Sequence, residues 1–410
     1  MLLKNSKNII LFGMGQSGYS AFKYLNNKIN IIVWDDSYSI RKNLRKNFSN
    51  IRIKNLKYIN WKNIDFVLVS PGINFNHFLL DKPKKLKIPL FRDLEIFSQN
   101  VDKEKVIALT GTNGKSTTVS LIGQMISKKN NNIFIGGNIS PPLIDALKVK
   151  NYYKYILELS SYQLESAPSF NSYISVLLNI SEDHIDRYGS LEKYSLIKKK
   201  IFQLSDFKQY FIVSIDDNFS NQIYKELKKI NNNTISISAS KKLNKGIFFS
   251  KLKIIDNYFD NSEIDFSKNK NNLLINKNKQ NILATYAVSK VLGYENDIFI
   301  KTLKNFKSLR HRTEIVYKDK KMIIINDSKA TNLSSALHSI KLYNNIYLIM
   351  GGKLKNKNFD DLKLFKNKIK KIYLIGESSK YIIKKIKDTF ICDSCEIMSI
   401  AVKKCFKSKL

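Results

Sequence analysis

Cysteine is scarce in this chain: there are three in 410 residues, Cys392, Cys395 and Cys405. So few cannot build a disulfide framework, and they fit a reducing compartment. Cys392 and Cys395 form a C-x-x-C, but no second pair or neighbouring histidine completes the four ligands of a zinc site. Long apolar runs are also missing. No stretch of about 18 apolar residues exists to cross a bilayer. The start "MLLKNSKNIILFGMG" runs directly into a strand and a glycine turn, with no signal-peptide cleavage site. A cytoplasmic protein off the membrane is expected. Acidic residues are few, with Asp+Glu 34 against Lys+Arg 70, a net charge of +36 and a pI near 9.8. That balance would ordinarily raise nucleic acid as a partner. Here the lysines are spread along the chain among Asn and Ile, as in "KELKKINNNTISISASKKLNKG", and no nucleic-acid-binding motif accompanies them. The excess reads as compositional bias, and no nucleic-acid partner is expected.

What is present is ordinary for a globular protein: 43% hydrophobic and 25% charged residues. The length exceeds what one core supports, so two or three domains are expected. The first segment alternates strand and helix patterns: "NIILFGMG", a helix from about Ser17 to Leu25, then strands "INIIVWDD" and "IDFVLVSPG". This is the α/β signature of a parallel sheet. A polar stretch near Ser98 to Lys105 precedes a fresh strand, "KVIALTG". The second segment continues through "YYKYILELS" and "SYISVLLNI" to a helical "QNILATYAVSKVLG". Beyond Leu309 come "KMIIINDS", "NIYLIMGG" and "KIYLIGES", three apolar strands of another α/β segment. The expected domains are 1–98, 99–308 and 309–410. The Asn/Lys tracts read as surface loops, and no internal repeat is evident.

The strongest chemical signal is Gly111-Thr112-Asn113-Gly114-Lys115-Ser116-Thr117, between a strand and a helix. Glycines let the backbone curl so that N–H groups face phosphate, the helix N-terminus adds positive potential, Lys115 reaches the β/γ-phosphates and a hydroxyl binds Mg²⁺. Gly13-Met14-Gly15-Gln16-Ser17-Gly18 is a second glycine turn after a strand, with Asp35 near the end of the next strand. Alone it would suggest a nicotinamide dinucleotide. A basic, nucleic-acid-stimulated ATPase is a further reading of the phosphate loop taken with the charge.

The G-T-N-G-K-S-T variant, "LELSSYQLE" (157–165) and "LNISEDHIDRYGSLEKYSLIKKKI" (178–201) together resemble the Mur ligases and the related folylpolyglutamate synthases, over residues 8 to about 380. The resemblance implies a fold of three α/β domains: a Rossmann-like N-terminal UDP-binding domain, a central P-loop ATPase-like domain with a mostly parallel sheet, and a Rossmann-like C-terminal domain. It implies an ATP-dependent amide ligase of cell-wall peptidoglycan synthesis, with two Mg²⁺ sites, acting as a monomer. "NDSKATN" (326–332) points to the members that add D-glutamate to UDP-N-acetylmuramoyl-L-alanine, another amide ligase of the superfamily being the alternative.

Residue by residue, the resemblance places ATP on Gly111 to Thr117, on Asn278 and Asn281 near adenine, and on His311, Arg312, Asp327 and Lys329. Lys277 stands where the family has a histidine. Ser116, Glu158, His184 and Lys198, the last as a carbamate, would hold the metals. An ordinary lysine ammonium, with a pKa of about 10.4, would repel them. Lys115, Lys198, His184 and Glu158 are the expected catalytic residues. Gly15, Gln16, Ser17, Asp35, Ser70, Gly72, Asn138, Ser160 and Gln163 would contact the UDP-substrate, and Thr331 and Lys355 the D-glutamate. The family usually continues through one more apolar strand and a Ser-Pro-Ala turn followed by an aromatic residue. "MSIAVKKCFKSKL" has neither, so the C-terminal domain is expected to be incomplete and its coupling of D-glutamate weak.

Overall fold

A computed structural model describes residues 3, 6–267, 275, 278–306, 309–319, 321–353 and 359–407. They fall into two compact units, one within 1–180, 185–268 and 279–306, the other within 181–184, 269–278 and 307–410. Lys277 and Lys355 lie outside the described residues.

The first unit holds two sheets. One has five parallel strands, β1 (Asn8–Phe12), β2 (Asn30–Trp34), β3 (Arg52–Ile53), β4 (Phe66–Val69) and β5 (Leu90–Phe91), in the order β3-β2-β1-β4-β5. Strand alternation sends Ile9 and Leu11 to one face and Ile10 and Phe12 to the other, and both faces are buried. A strand covered on both sides needs the unbroken apolar run that "NIILF" and "FVLV" supply. Helix α1 (Gln16–Leu25) leaves β1 through the first glycine turn and buries Ala21, Phe22 and Leu25. The short helix α2 (Asp93–Ser98) follows β5.

The second sheet has nine strands: β6 (Val106–Thr110), β7 (Ile133–Gly137), β8 (Lys154–Glu158), β9 (Ile174–Leu177), β10 (Tyr210–Ser214), β11 (Thr234–Ser238), β12 (Ile247–Ser250), β13 (Lys253–Asp256) and β14 (Ser262–Asp265). Their order is β14-β13-β12-β11-β10-β9-β6-β8-β7, parallel from β7 to β12 and antiparallel at the β12–β14 end. Because β6, β8 and β9 are parallel neighbours, the residues that follow them emerge at one edge, where open α/β sheets bind ligands. The helices of this unit that bear on the site are α3 (Lys115–Ser127), α4 (Ser161–Leu164), α5 (Leu191–Lys199) and α6 (Lys279–Val291). Thr234–Ser238, inside a stretch that reads as a polar loop, is a fully buried strand. There the Ile-Ser alternation, not the flanking Asn and Lys, decides the local structure.

The second unit has a parallel sheet of β17 (Ile346–Gly351), β18 (Ile369–Ile375) and β19 (Cys392–Glu396). The strand in "KMIIINDS" does not join it. It is β16 (Ile323–Asn326), paired antiparallel with β15 (Glu314–Lys318). The Asp319 carboxylate accepts the N–H groups of Lys321 (2.7 Å) and Met322 (2.6 Å), closing a short turn. Pairing across such a turn has a small loop-closure cost. Helix α7 (Leu333–Ile340) packs Leu337 and Ile340 into this unit's core. Among the described residues no helix is long and apolar enough to cross a membrane.

Candidate active site

The phosphate loop starts where β6 ends. Gly114 has φ +84, a conformation side chains resist, and a Cβ there would run into the carboxamide of Asn281 on α6. Asn179, just after β9, holds the loop from the side. Its Oδ1 accepts the Asn113 N–H at 2.8 Å, its backbone carbonyl accepts the Thr112 N–H at 2.8 Å, and its Nδ2 donates to the Asn113 carbonyl. Nδ2 also donates to Gln280 Oε1 at 2.6 Å, and Gln280 Nε2 donates to Ser214 Oγ at 2.7 Å. Loop and helix α6 are thus tied through one carboxamide pair.

Three charged side chains meet around this loop. Lys115 Nζ donates back to the carbonyls of Gly111 (2.9 Å) and Thr112 (2.8 Å). Lys198, from α5, reaches the same Gly111 carbonyl at 2.8 Å, is 1% exposed, and lies 4.6 Å over the Tyr194 ring. Of three consecutive lysines, only Lys198 turns inward; Lys199 pairs with Glu226 and Lys200 with the Glu165 carbonyl. Glu158, at the end of β8, accepts from Ser116 Oγ at 2.6 Å and from Asn138 Nδ2 at 2.9 Å. Thr117 stands half-buried in the first turn of α3.

At the first glycine turn, Gly15 and Gln16 are exposed, and Gln16 Nε2 donates to Ser140 Oγ at 3.4 Å. Asp35 is 8% exposed and accepts the N–H groups of Met14 (2.7 Å) and Ser37 (2.9 Å). Ser70 Oγ donates to the Gly13 carbonyl at 2.6 Å, and Gly72 is open to solvent. Ser160 and Gln163 form a capping box that starts α4. Ser17 and Gln163 both approach Asp93, which is fully buried. Burial pushes that carboxyl up to about 6, against the pull of the Arg92 charge and of hydrogen bonds from Ser17, Leu94 and Gln163.

In the second unit, Asp327 accepts the Thr313 N–H at 2.8 Å and Ser339 Oγ at 2.6 Å. His311 Nδ1 lies 2.8 Å from Asn326 Nδ2, and the His311 carbonyl accepts the Lys329 N–H at 3.1 Å. His311, Asp327 and Lys329 are thereby gathered, with Arg312 half-buried beside them and Thr331 exposed. His184 adopts φ +56 and lies 3.5 Å from the Asp183 carboxylate. Asn278 and Asn281 are both buried.

The pattern of the Mur ligase middle domain matches residues 109–289. A UDP-N-acetylmuramoylalanine–D-glutamate ligase of Rickettsia bellii is 35% identical over 397 residues, covering 96% of this chain and 88% of that one. One from Caulobacter vibrioides is 32% identical over 387 residues, covering 91% and 82%. The chain belongs to this family of Mur ligases. Solved Mur ligases share the fold at low identity. A pseudomurein peptide ligase type C from Methanothermus fervidus has a TM-score of 0.57 at 19% identity, covering 98% of this chain and 94% of its own. A MurF ligase from Thermotoga maritima, solved in complex with ADP, has a TM-score of 0.53 at 17%, covering 99% and 96%.

Of the residues the sequence singles out, the structure brings Lys115, Ser116, Glu158 and Lys198 together around the loop, and it adds Asn138, expected at the UDP-substrate, through its bond to Glu158. The sequence reading misses Asn179 and Gln280, because a lone amide after a strand or at a helix start carries no signature; only the loop's need for partners at its own N–H groups could have pointed to them. It also assigns no role to Arg92, Glu165 and Arg187, although the last two lie within the stretches that carry the resemblance. Among the described residues no group of three or more His, Cys, Asp or Glu is gathered for a metal. That includes the C-x-x-C at Cys392 and Cys395, both free thiols.

Proposed function

We propose that this chain is an ATP-dependent ligase joining D-glutamate to the L-alanine carboxyl of UDP-N-acetylmuramoyl-L-alanine in peptidoglycan synthesis, working as a cytoplasmic monomer. The observation that carries the reading is the cluster at the end of β6 and β8. A phosphate loop with Lys115 folded over it stands beside a hydroxyl–carboxylate pair, Ser116 and Glu158, 2.6 Å apart.

A carboxylate does not accept an amine at neutral pH, since oxide would have to leave. The alanine carboxylate oxygen therefore attacks the γ-phosphorus of ATP, ADP leaves, and an acyl phosphate forms. The amine of D-glutamate then attacks the acyl carbon, phosphate leaves with the C–O electron pair, and the nitrogen gives up its proton. The loop N–H groups and Lys115 face the charge that spreads over the transferring oxygens. Lys115 must swing off the Gly111 and Thr112 carbonyls to do so. Ser116 and Glu158 are hard oxygen donors of the kind Mg²⁺ takes, and the bound ion would neutralise phosphate charge there. His184 and Lys198 are assigned to a second Mg²⁺. Addition of CO₂ to the neutral Lys198 amine, with loss of a proton, would turn that cation into an anion. Asn281 is assigned to adenine, as is Asn278, and His311, Arg312, Asp327 and Lys329 to the nucleotide and acyl phosphate. Thr331 is assigned to D-glutamate, and the residues around the first glycine turn to the UDP group.

Phosphate release tests this. ATP with UDP-N-acetylmuramoyl-L-alanine should give steady turnover only when D-glutamate is added; turnover with L-alanine and UDP-N-acetylmuramate instead would assign another amide-forming step.

A further inference from the structure

The turn Ser70–Ile73 follows β4 and, on the functional reading above, borders the uridine. Two arginines hold its two ends. Arg92 Nη1 donates to the carbonyls of Val69 (3.2 Å) and Ser70 (2.6 Å), and Arg187 Nη2 donates to the carbonyl of Ile73 (3.2 Å). Both guanidiniums then converge on one carboxylate. Arg187 grips Glu165 with two bonds of 2.7 Å, Arg92 bonds to Oε2, and the Tyr188 hydroxyl donates to Oε1 at 2.9 Å. The Arg92 side chain is fully buried, and those of Glu165 and Arg187 are each 9% exposed. The planes are fixed as well, Arg92 lying 3.8 Å from the Phe75 ring and Arg187 4.1 Å from that of Tyr162.

Glu165 comes directly after α4, the helix capped by Ser160 and Gln163. One carboxylate therefore ties the turn after β4 to the segment carrying a second set of assigned UDP-substrate contacts. Two buried cations around one anion are a poor source of stability, since well-packed apolar side chains would do as well. What the trio supplies is geometry, because planar forks fix direction as well as distance.

We propose that Arg92, Glu165 and Arg187 are positioning residues for the UDP-substrate, holding the Ser70–Ile73 turn and the Ser160–Gln163 segment at a set separation before the ligand arrives. A site assembled in advance binds more tightly because no ordering is charged to the ligand. The inference rests on the functional reading, and within it these residues touch neither ATP nor the reacting atoms.

Arg187→Lys is the decisive variant. It keeps the charge opposite Glu165 but loses the fork, and with it the simultaneous hold on Glu165 and the Ile73 carbonyl. Calorimetric titration with UDP-N-acetylmuramoyl-L-alanine should show affinity about tenfold weaker, as for the loss of one charge-assisted bond. KM for ATP should stay within about twofold, and kcat at saturating substrate likewise. Unchanged affinity for the UDP-sugar, or equal losses for it and ATP, overturns the proposal. If the wild-type chain itself fails to bind the UDP-sugar, the functional reading falls with it, a result distinct from a wild type that binds and a variant that binds equally well. Should Arg187→Lys not fold, Tyr188→Phe removes a single bond to Glu165. It should weaken UDP-sugar binding by about twofold or more with ATP unaffected; no change there also overturns the proposal.

Discussion

The molecule contains two glycine turns of the same local design, each leaving a buried parallel strand and opening a helix. At the first, Gly13 takes φ +91 and α1 begins after Gly15; at the second, Gly114 takes φ +84 and α3 begins at Lys115. Their surroundings differ. The first turn spends its Met14 N–H on the Asp35 carboxylate, and its Ser17 hydroxyl approaches the buried Asp93. The second has Lys115 and Lys198 on one carbonyl, and Ser116 on Glu158. Either helix N-terminus favours an anion. Only the second is equipped to change one chemically, and that equipment comes from three other elements, β8, α5 and α6.

The sharpest way to break the comparison is to strip the second turn of its cation. Lys115→Ala should lower ATP-dependent turnover by a hundredfold or more, several kcal/mol of transition-state stabilisation, while UDP-sugar affinity in a titration stays within about twofold. Retention of more than a tenth of the wild-type rate would show the two turns to be equivalent anion cradles. Next comes Lys198→Ala, expected to be inactive but partly restored by short-chain carboxylic acids that occupy the vacated space. Lys199→Ala, which removes only a surface pair with Glu226, should behave as wild type. Failure of acetate to restore any activity to Lys198→Ala would mean that no anion is needed at the Lys198 position, and a dead Lys199→Ala would mean that the carbamate position is not Lys198.

Much of this was legible because the signals are local. A glycine turn between an apolar strand and a helix can be read from seven residues, and the buried strands of both parallel sheets announce themselves as apolar runs. The site's assembly was less legible. That Glu158 bonds to Ser116 follows from β6 and β8 being neighbours, a pairing between residues 42 apart in sequence. Asn179 and Gln280 act through each other across 101 residues, and neither has a distinctive context. The pairing of β15 with β16 was not legible, because apolar strands look alike in sequence and the Asp319 turn that joins them carries one residue of ordinary type. Buried arginines were missed for a similar reason: charge is ordinarily at the surface, and it takes the Glu165 carboxylate and the carbonyls of Val69, Ser70 and Ile73 to explain why Arg92 and Arg187 are inside.

A smaller effect probes the packing of the first turn. Gly18 sits in α1 against the Gly13 carbonyl, and an added Cβ would overlap that oxygen and come within 2.7 Å of Ser70 Oγ. Backbone cannot yield as a side chain would, so Gly18→Ala should cost about 3 kcal/mol of stability, the upper end for overpacking. Urea denaturation measures it. Unfolding unchanged to within about 0.5 kcal/mol would show that α1 can move off the turn freely, unlike α3, which Asn281 and Asn179 confine.

The smallest effect concerns Asp93, the buried carboxylate that backs the first turn through Ser17 as lysines back the second. Its folded-state pKa, about 6, stands above the 3.8 of the unfolded chain. The native state therefore binds this proton more tightly than the unfolded state does. Stability from this group is full below about pH 3.8, falls as pH rises through about 6, and is lost above that. Each pH unit of difference is worth about 1.4 kcal/mol, and relaxation of the buried site reduces the sum. Asp93→Asn, which keeps an acceptor for the Leu94 N–H but cannot ionise, should thus gain about 2 kcal/mol on the wild type between pH 4 and pH 7.5. Urea unfolding of both proteins across that range gives the difference directly. If the two stability curves run parallel, Asp93 is not protonated preferentially in the folded state. The first turn would then be backed by an ionised carboxylate down to about pH 4, and not only above about pH 6.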